Sequence, residues 1–251
     1  MTERLLEGLA AAPGMALGVL VHLDESTATR AGSGDPAAES RALRAALGGA
    51  LSDLADLLAR ADTEGAAILE FQVAMLEDDL LSAPAFGAIA GGTPAHEAWR
   101  DALDAEAAGY EAADDEYFRA RAADLRDIRD RVLGHLSGVV TDVTVPPGAI
   151  VAAADLPPSR FLAIDWSRGG ALALMGGSPT SHVAMLARSR GVPAVVGLGP
   201  ELAGLGGQVL VDAFRGVVVA QPDAASLEAF GQAARAQRDV ADRAAAVAAL
   251  P

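Results

Sequence analysis

Hydrophobic positions change their spacing twice along this chain of 251 residues. Near the start, "GMALGVLVHL" (Gly14–Leu23) is short and apolar, with Pro13-Gly14 on one side and acids on the other, which reads as a β-strand. "STATRAGSGDPA" (Ser26–Ala37) is a loop by composition. From about Glu39 to Leu136 the spacing is helical. Leucines stand at 43, 47, 51, 54, 57 and 58, a rhythm of three and four without alternation. "AAILEFQVAMLEDDLLSAPAF" continues it, and Pro84 predicts a break. "TPAHEAWRDAL" predicts a further helix, with Thr93 as N-cap and Pro94 at its first position. The last of the series, about Ala120–Leu136, places Leu125, Ile128, Val132, Leu133 and Leu136 on one side.

The second change comes at Gly138. "VVTDVTVPPGAIVAAADLPPS" and "GALALMGG" are short β-like runs punctuated by Pro and Gly. "HVAMLARSRG" predicts a helix of about ten residues that stops at Gly191, with Pro193 just beyond. "VPAVVGL" reads as a strand, "QVLVDAFRGVVVAQP" as a strand and hairpin, and the end as an alanine-rich helix. Strand–helix–strand alternation of this kind is an α/β unit. A lone strand at Gly14–Leu23 cannot bury itself, so it is expected to join that later sheet. The predicted fold class is therefore α/β plus α. Residues 1–23 and 139–223 form a discontinuous α/β domain, residues 24–138 an inserted helical bundle, and residues 224–251 a C-terminal connecting helix.

Composition sets the surroundings. Hydrophobic residues make up 51% of the chain, ample for a core. No run of about 18 uncharged apolar residues occurs, which argues against a membrane span. "MTERLLEGLAAAPG" carries acids and lacks the basic and apolar regions of a secretory signal. The absence of cysteine excludes disulfides, thiolate nucleophiles and cysteine–zinc sites. With 19 Lys and Arg against 34 Asp and Glu, the net charge is −15. Nucleic acid and anionic membrane are poor partners for such a surface, and a basic protein is a good one. The expectation is a soluble cytoplasmic protein.

Candidate chemistry concentrates in "MGGSPTSHVAMLARSRGVPAVVG" (175–197), where His182 stands between a glycine-rich turn and an apolar helix. Gly176 and Gly177 let the backbone turn sharply or approach a ligand. Thr180 or Ser181 can cap the helix. The free N–H groups of its first turn form an anion site, and the positive helix end disfavours a cationic imidazole. A neutral imidazole beside a phosphate-sized site suits a nucleophile that accepts a phosphoryl group. The spacing alone does not decide for this over a capping or surface role, since short motifs of this kind often match by accident.

The same stretch resembles the phosphohistidine segment of the enzyme I family of the bacterial phosphoenolpyruvate:sugar phosphotransferase system. "MLEDDLL" (Met75–Leu81) and "AHEAW…DDEYFRARAADLRDIRDRVLGHL" (Ala95–Leu136) resemble the helical domain with which that family grips its partner HPr. "GLAAAPGMALGVL" resembles the family's opening, and "VAAADLPPS" the box before its active loop; together the motifs run from about Gly8 to Pro222. The resemblance implies that His182 is transiently phosphorylated on Nε2. Gly176, Gly177, Thr180, Ser181 and Arg188 would form its phosphate loop, with Arg188 either reaching the phosphate or bracing the loop. Met75, Leu76, Glu77, Asp78, Asp79, His96 and Arg121 would match the HPr-docking surface. A swivelling of the α/β domain is also implied, with bending near Glu25–Asp35, Val140–Pro147 and Gln221–Ala225.

Two departures from the family pattern stand out. Ser178 occupies a position where many members have glycine. Phe161 occupies the position from which some members tether the resting histidine through a threonine hydroxyl, and a phenyl ring cannot hydrogen-bond. His22 and His135 lack a surrounding loop of anion donors and are expected to be structural. The family normally continues into a barrel that binds phosphoenolpyruvate and magnesium. The chain is accordingly expected to be the N-terminal phosphotransfer half, with HPr and that missing C-terminal barrel as partners and no metal or other cofactor of its own. Alternatives from other classes are a non-catalytic HPr-binding module and the phosphotransfer subunit of a dihydroxyacetone kinase system.

Overall fold

The structure, a computed structural model, describes residues 3–23, 32–112, 116–138 and 145–248. The strand expected at Gly14–Leu23 is β3, Met15–His22, preceded by two strands the sequence pattern missed, β1 (Arg4–Glu7) and β2 (Leu9–Ala12). Each has four residues and no β-branched side chain, too short a run to show a period. Five helices follow: α1 (Pro36–Leu58), α2 (Thr63–Glu77), α3 (Asp79–Ala90), α4 (Ala95–Glu111) and α5 (Glu116–Ser137). The chain then makes β4 (Ile150–Ala153), α6 (Pro158–Ala163), β5 (Ala171–Leu174), α7 (His182–Ser189) and β6 (Ala194–Val196). A 3-10 turn at Pro200–Gly204 leads to β7 (Gln208–Asp212), β8 (Val217–Ala220) and the long α8 (Ala224–Ala248).

The strands lie in the order β1-β8-β7-β3-β4-β5-β6-β2. Only Gly8 separates β1 from β2, so the two ends of this order are joined and the sheet curls back on itself. β3 makes the opposite corner. Its residues Met15–Val19 pair antiparallel with β7, and Leu20–His22 pair parallel with β4. At Gly18, two residues before β3 changes partner, an added Cβ would stand 2.1 Å from the carbonyl oxygen of Gly148. The corner closes only because no side chain is there.

Alternation along the strands feeds two cores. Ile150, Ala152, Ala171, Ala173 and Val195 point into the curl, against Leu6, Leu20, Val209, Val211 and Val218. Val151, Ala153, Leu172, Leu174 and Val196 point outward and are covered by Phe161, Val183, Leu186 and Ala187 of α6 and α7. Both faces of β4 and β5 are thus buried, as parallel strands require. A third core fills the bundle, with Leu43, Ala46, Ala50, Leu54 and Leu57 of α1 facing Trp99, Leu103, Leu125, Ile128 and Val132. Ile68 of α2 crosses into the α6–α7 core, while Leu162 of α6 touches both.

Three local expectations are corrected. Pro84 lies inside α3, and the break falls instead at Asp78, whose carboxylate accepts from Leu80 N–H at 2.9 Å and caps α3. A proline in the second turn removes one helical hydrogen bond, which packing of Ala85 and Ile89 offsets. Thr93 does not cap α4. Pro94 is its N-cap and bonds nothing through its side chain, and the orphan Ala95 N–H donates to Glu39 Oε2 at 2.8 Å. Glu39, 3% exposed, also accepts from Ser33 N–H at 2.7 Å and so ties α1 to α4. Finally, α1 begins at Pro36 within the predicted loop because Asp35 accepts from Ala37 N–H at 2.9 Å and Pro36 starts the helix without an orphan donor. The expected domain boundaries after residues 23 and 138, and most of the expected bends near Glu25–Asp35 and Val140–Pro147, lie outside the described residues.

Two alanine substitutions test the corner. Gly18→Ala should destabilise the protein by about 3 kcal/mol, an overpacking cost against rigid backbone. Gly48→Ala, on an exposed face of α1 with open space around it, should stabilise by up to about 1 kcal/mol through helix propensity. Urea midpoints compare them, and a Gly18→Ala variant as stable as the parent would refute the account of the corner.

Candidate functional site

The segment between β5 and α7 is set by short-range bonds. Gly176 is held by its N–H to Ala154 O at 3.0 Å and by Gly197 N–H to its own carbonyl at 2.9 Å. Gly177 then turns with φ +85°, a conformation that favours glycine. Ser178 Oγ lies 2.8 Å from Thr180 Oγ1 and accepts from Thr180 N–H at 3.2 Å, which occupies both hydroxyls within the loop. Of the two candidate caps, Ser181 takes the role: its Oγ accepts from Ala184 N–H at 3.3 Å. His182 is consequently the first residue of α7, where the backbone donors point outward.

Arg188 braces the loop. Its Nη1 donates to Ala11 O at 2.6 Å and Pro179 O at 2.8 Å, fastening the turn to β2. It also forms part of the wall of a cleft of about 620 Å³ between the bundle and the α/β unit. Ala67 and Ile68 of α2, Arg121 of α5, and His182 and Met185 of α7 are among the other lining residues.

Across the cleft, α5 presents charge. Arg121 lies over the Phe71 ring, 4.1 Å from its centroid, and its Nη1 donates to Asp124 Oδ2 at 3.0 Å. Asp124 Oδ1 is 3.6 Å from His182 Nδ1. The carboxylate is wholly buried and the imidazole 17% exposed, so the pair interacts with little screening. One turn on, Asp127 accepts from Ser159 Oγ at 2.6 Å, Ser159 N–H at 3.1 Å and Gln72 Nε2 at 2.9 Å. Arg131 donates to Ser159 Oγ at 2.6 Å. Burial raises the proton affinity of Asp127 above that of an ordinary aspartate, and Arg131 only partly counters it. These bonds fix α5 against the start of α6, which is the "DLPPS" box. Phe161, in the same helix, is fully buried and stacked on Trp166 at 5.1 Å.

The other candidate residues are dispersed. Glu77, Asp78 and Asp79 are exposed at the α2–α3 junction, and Met75 is half-buried against the bundle core. Leu76 is a correction: at 7% exposure it belongs to the core, because its position on α2 faces inward. The apolar side chain displayed there is Leu80, 79% exposed. His96 is largely enclosed, 3.7 Å from Glu97. Arg121, expected on the docking surface, shares the cleft with His182. His22 Nε2 donates to Leu205 O at 2.8 Å, and His135 pairs with Asp53 at 2.8 Å, both within the scaffold.

Asp124 and Asp127 escaped the sequence reading. Their signal was present in "RAADLRDIRDR": arginine three before one acid and four after the other, at helical spacing. Such a stripe ordinarily marks a solvated face, and only burial distinguishes it.

Comparison with known proteins places these features in a context. The family described as PEP-utilising enzyme, N-terminal, matches residues 7–121, and PEP-utilising enzyme, mobile domain, matches residues 145–216. A phosphoenolpyruvate-protein phosphotransferase of Streptomyces coelicolor is 33% identical over 98% of this chain and 44% of its own length. A multiphosphoryl transfer protein of Rhodobacter capsulatus is 38% identical over 71% of this chain and 22% of its own. The chain therefore spans less than half the length of these relatives. A solution NMR structure of enzyme I superimposes with a TM-score of 0.74 at 28% identity, covering 93% of this chain and 99% of that one. The N-terminal domain of a nitrogen enzyme I gives 0.61 at 26% identity, over 90% and 98%.

The joint between α2 and α7 yields a pH test. Asp62 caps α2 through Gly65 N–H at 2.8 Å and accepts from Arg190 Nε at 2.9 Å. The Gly65 N–H, and then Arg190, lower its pKa. A lowered folded value means that its stabilisation is present above the ordinary aspartate value of about 3.9 and is lost as pH falls through the depressed one. Asp62→Ala should cost about 1 kcal/mol at neutral pH. Urea titrations repeated at descending pH should show the gap between variant and parent closing below pH 4, and a constant gap would contradict this assignment.

Proposed function

This chain belongs to the PEP-utilising enzymes, with that family's N-terminal and mobile domains, and on that footing we propose that it carries a phosphoryl group on His182 and exchanges it with the phosphocarrier protein HPr. One observation carries the reading: His182 opens α7 on the wall of a cleft whose opposite side holds Arg121. An imidazole there has an open approach for an incoming phosphorus. The N–H groups at the start of α7 and the guanidinium of Arg121 supply fixed positive charge for the transferred oxygens. Arg188, tied to two carbonyls, keeps the loop in shape.

The discontinuous α/β domain would act as the mobile carrier, and the inserted bundle as the docking unit for HPr, with α8 leading towards a phosphoenolpyruvate-binding barrel. In the cytoplasm the pair would serve sugar uptake. Transfer between two phosphoimidazoles is nearly balanced and calls for no metal at this site, while magnesium would belong with the barrel. Docking would use the exposed acids Glu77, Asp78 and Asp79, flanked by Met75 and Leu80, a surface complementary to a basic partner.

Incubation with phosphorylated HPr should leave an acid-labile, base-stable phosphate on His182. His182→Ala should abolish it with folding and HPr binding nearly intact, since a partly exposed histidine at a loop end contributes little to the core. Phosphate on another residue would overturn the proposal, and binding without any phosphate would reduce the chain to a docking module.

Association with HPr should weaken steeply as ionic strength rises, because opposite charges accelerate encounter and salt screens them. Affinity indifferent to salt would reject the acidic docking surface and leave apolar contact as the means of binding.

A further inference from the structure

Resting on the phosphotransfer reading, we propose that Asp124 is the positioning residue for His182. Its carboxylate holds the proton on Nδ1, leaves the Nε2 lone pair facing the cleft, and balances the positive charge that the ring gains as Nε2 takes phosphorus. Three observations lead to it. Asp124 Oδ1 is buried and has no hydrogen-bond partner among the described residues, although Oδ2 is engaged by Arg121. A buried acceptor left unpaired calls for a donor. His182 Nδ1 lies 3.6 Å from it, just beyond hydrogen-bond length.

The neighbouring hydroxyls are also committed elsewhere. Ser178 and Thr180 bond each other, Ser181 caps α7, Ser159 serves Asp127, and Ser189 Oγ donates to Leu186 O. Phe161 offers none. In this chain the resting histidine is therefore held from the bundle, by a carboxylate, and not from α6 by a hydroxyl. Which nitrogen of a histidine is free is decided by what the other one bonds.

The transfer balances on these terms. The Nε2 lone pair forms the new N–P bond while the donor's N–P bond breaks and its electron pair returns to the donor nitrogen. The proton on Nδ1 stays in place. The ring becomes a phosphoimidazolium paired with Asp124, and in the reverse direction it leaves as a neutral imidazole, which is a far better leaving group than an imidazolide anion.

The test uses the whole chain with ¹⁵N-labelled histidine, His182 being assigned by its loss in His182→Ala. The unphosphorylated parent should show Nδ1 protonated and Nε2 bare. Asp124→Asn, whose amide oxygen can still accept, should retain that tautomer yet slow transfer from phosphorylated HPr. Asp124→Leu should lose the tautomer preference and slow transfer on the order of 100-fold or more. A parent protein with the proton on Nε2 would overturn the proposal even if neither variant folded, and so would undiminished transfer in Asp124→Leu. Were the parent to take no phosphoryl group at all, the phosphotransfer reading would fall, and the tautomer would still decide the role of Asp124.

Discussion

In the seam between the bundle and the sheet, the Asp127 carboxylate meets both donors of Ser159 and the Gln72 amide, with Arg131 closing the ring of bonds from the next turn. A bare carboxylate at 3% exposure would be costly by several kcal/mol. The partners offset that cost only in one arrangement, with α5 in one register against the first turn of α6. An apolar face could seal the two units together as firmly, but it would tolerate sliding. Sliding matters here, because Arg121 and Asp124 stand on the same stripe one and two turns earlier. A displacement of one residue along α5 would carry them away from His182.

Topology puts the seam where it is. β3 and β4 are neighbours in the sheet and parallel, yet the whole bundle is threaded between them. Leaving the C-terminal end of β3 and entering the N-terminal end of β4, the chain must cross the length of the pair, and the bundle lies within that crossover. α6 and α7 cover the outer face of the same strands, so they are the surfaces a returning α5 meets. The curl of the sheet, closed at Gly8 and Gly18, gives that face a fixed orientation. In this arrangement a site assembled from two units takes its geometry from the sheet.

Legibility in the sequence followed the strength of each local signal. Long helices with leucine rhythm were read correctly in kind, and α7 was bounded well because Ser181, Gly191 and Pro193 are explicit stops. The grouping of Gly176, Gly177, Thr180, Ser181 and His182 was legible for the same reason: it is local. β1 and β2 were not, since four residues cannot display a period and their strand character comes from pairing with β8 and β6. The cap of α4 by Glu39 joins residues 56 apart, which no window can see. Leu76 was assigned to the docking surface by the family resemblance, whereas its place on the inward face of α2 puts it in the core. The acids of α5 were invisible because their chemistry depends on burial, which a charged stripe does not announce.

The division of labour between the two arginines of the cleft follows from what each is tied to. Arg188 donates to two backbone carbonyls, which fixes a loop, and it pairs with no carboxylate among the described residues. Arg121 is clamped between the Phe71 ring and Asp124, so its guanidinium is already ordered before an anion arrives and little entropy remains to be lost. The loop, its glycine turn and the start of α7 all belong to the α/β unit, whereas Arg121 and Asp124 belong to the bundle. Taken apart, the α/β unit would keep an anion site at a helix end and lose the ordered cation across the cleft and the carboxylate against the imidazole. Joining both units in one polypeptide keeps at one histidine both the positive charge that receives an anion and the negative charge that holds a proton.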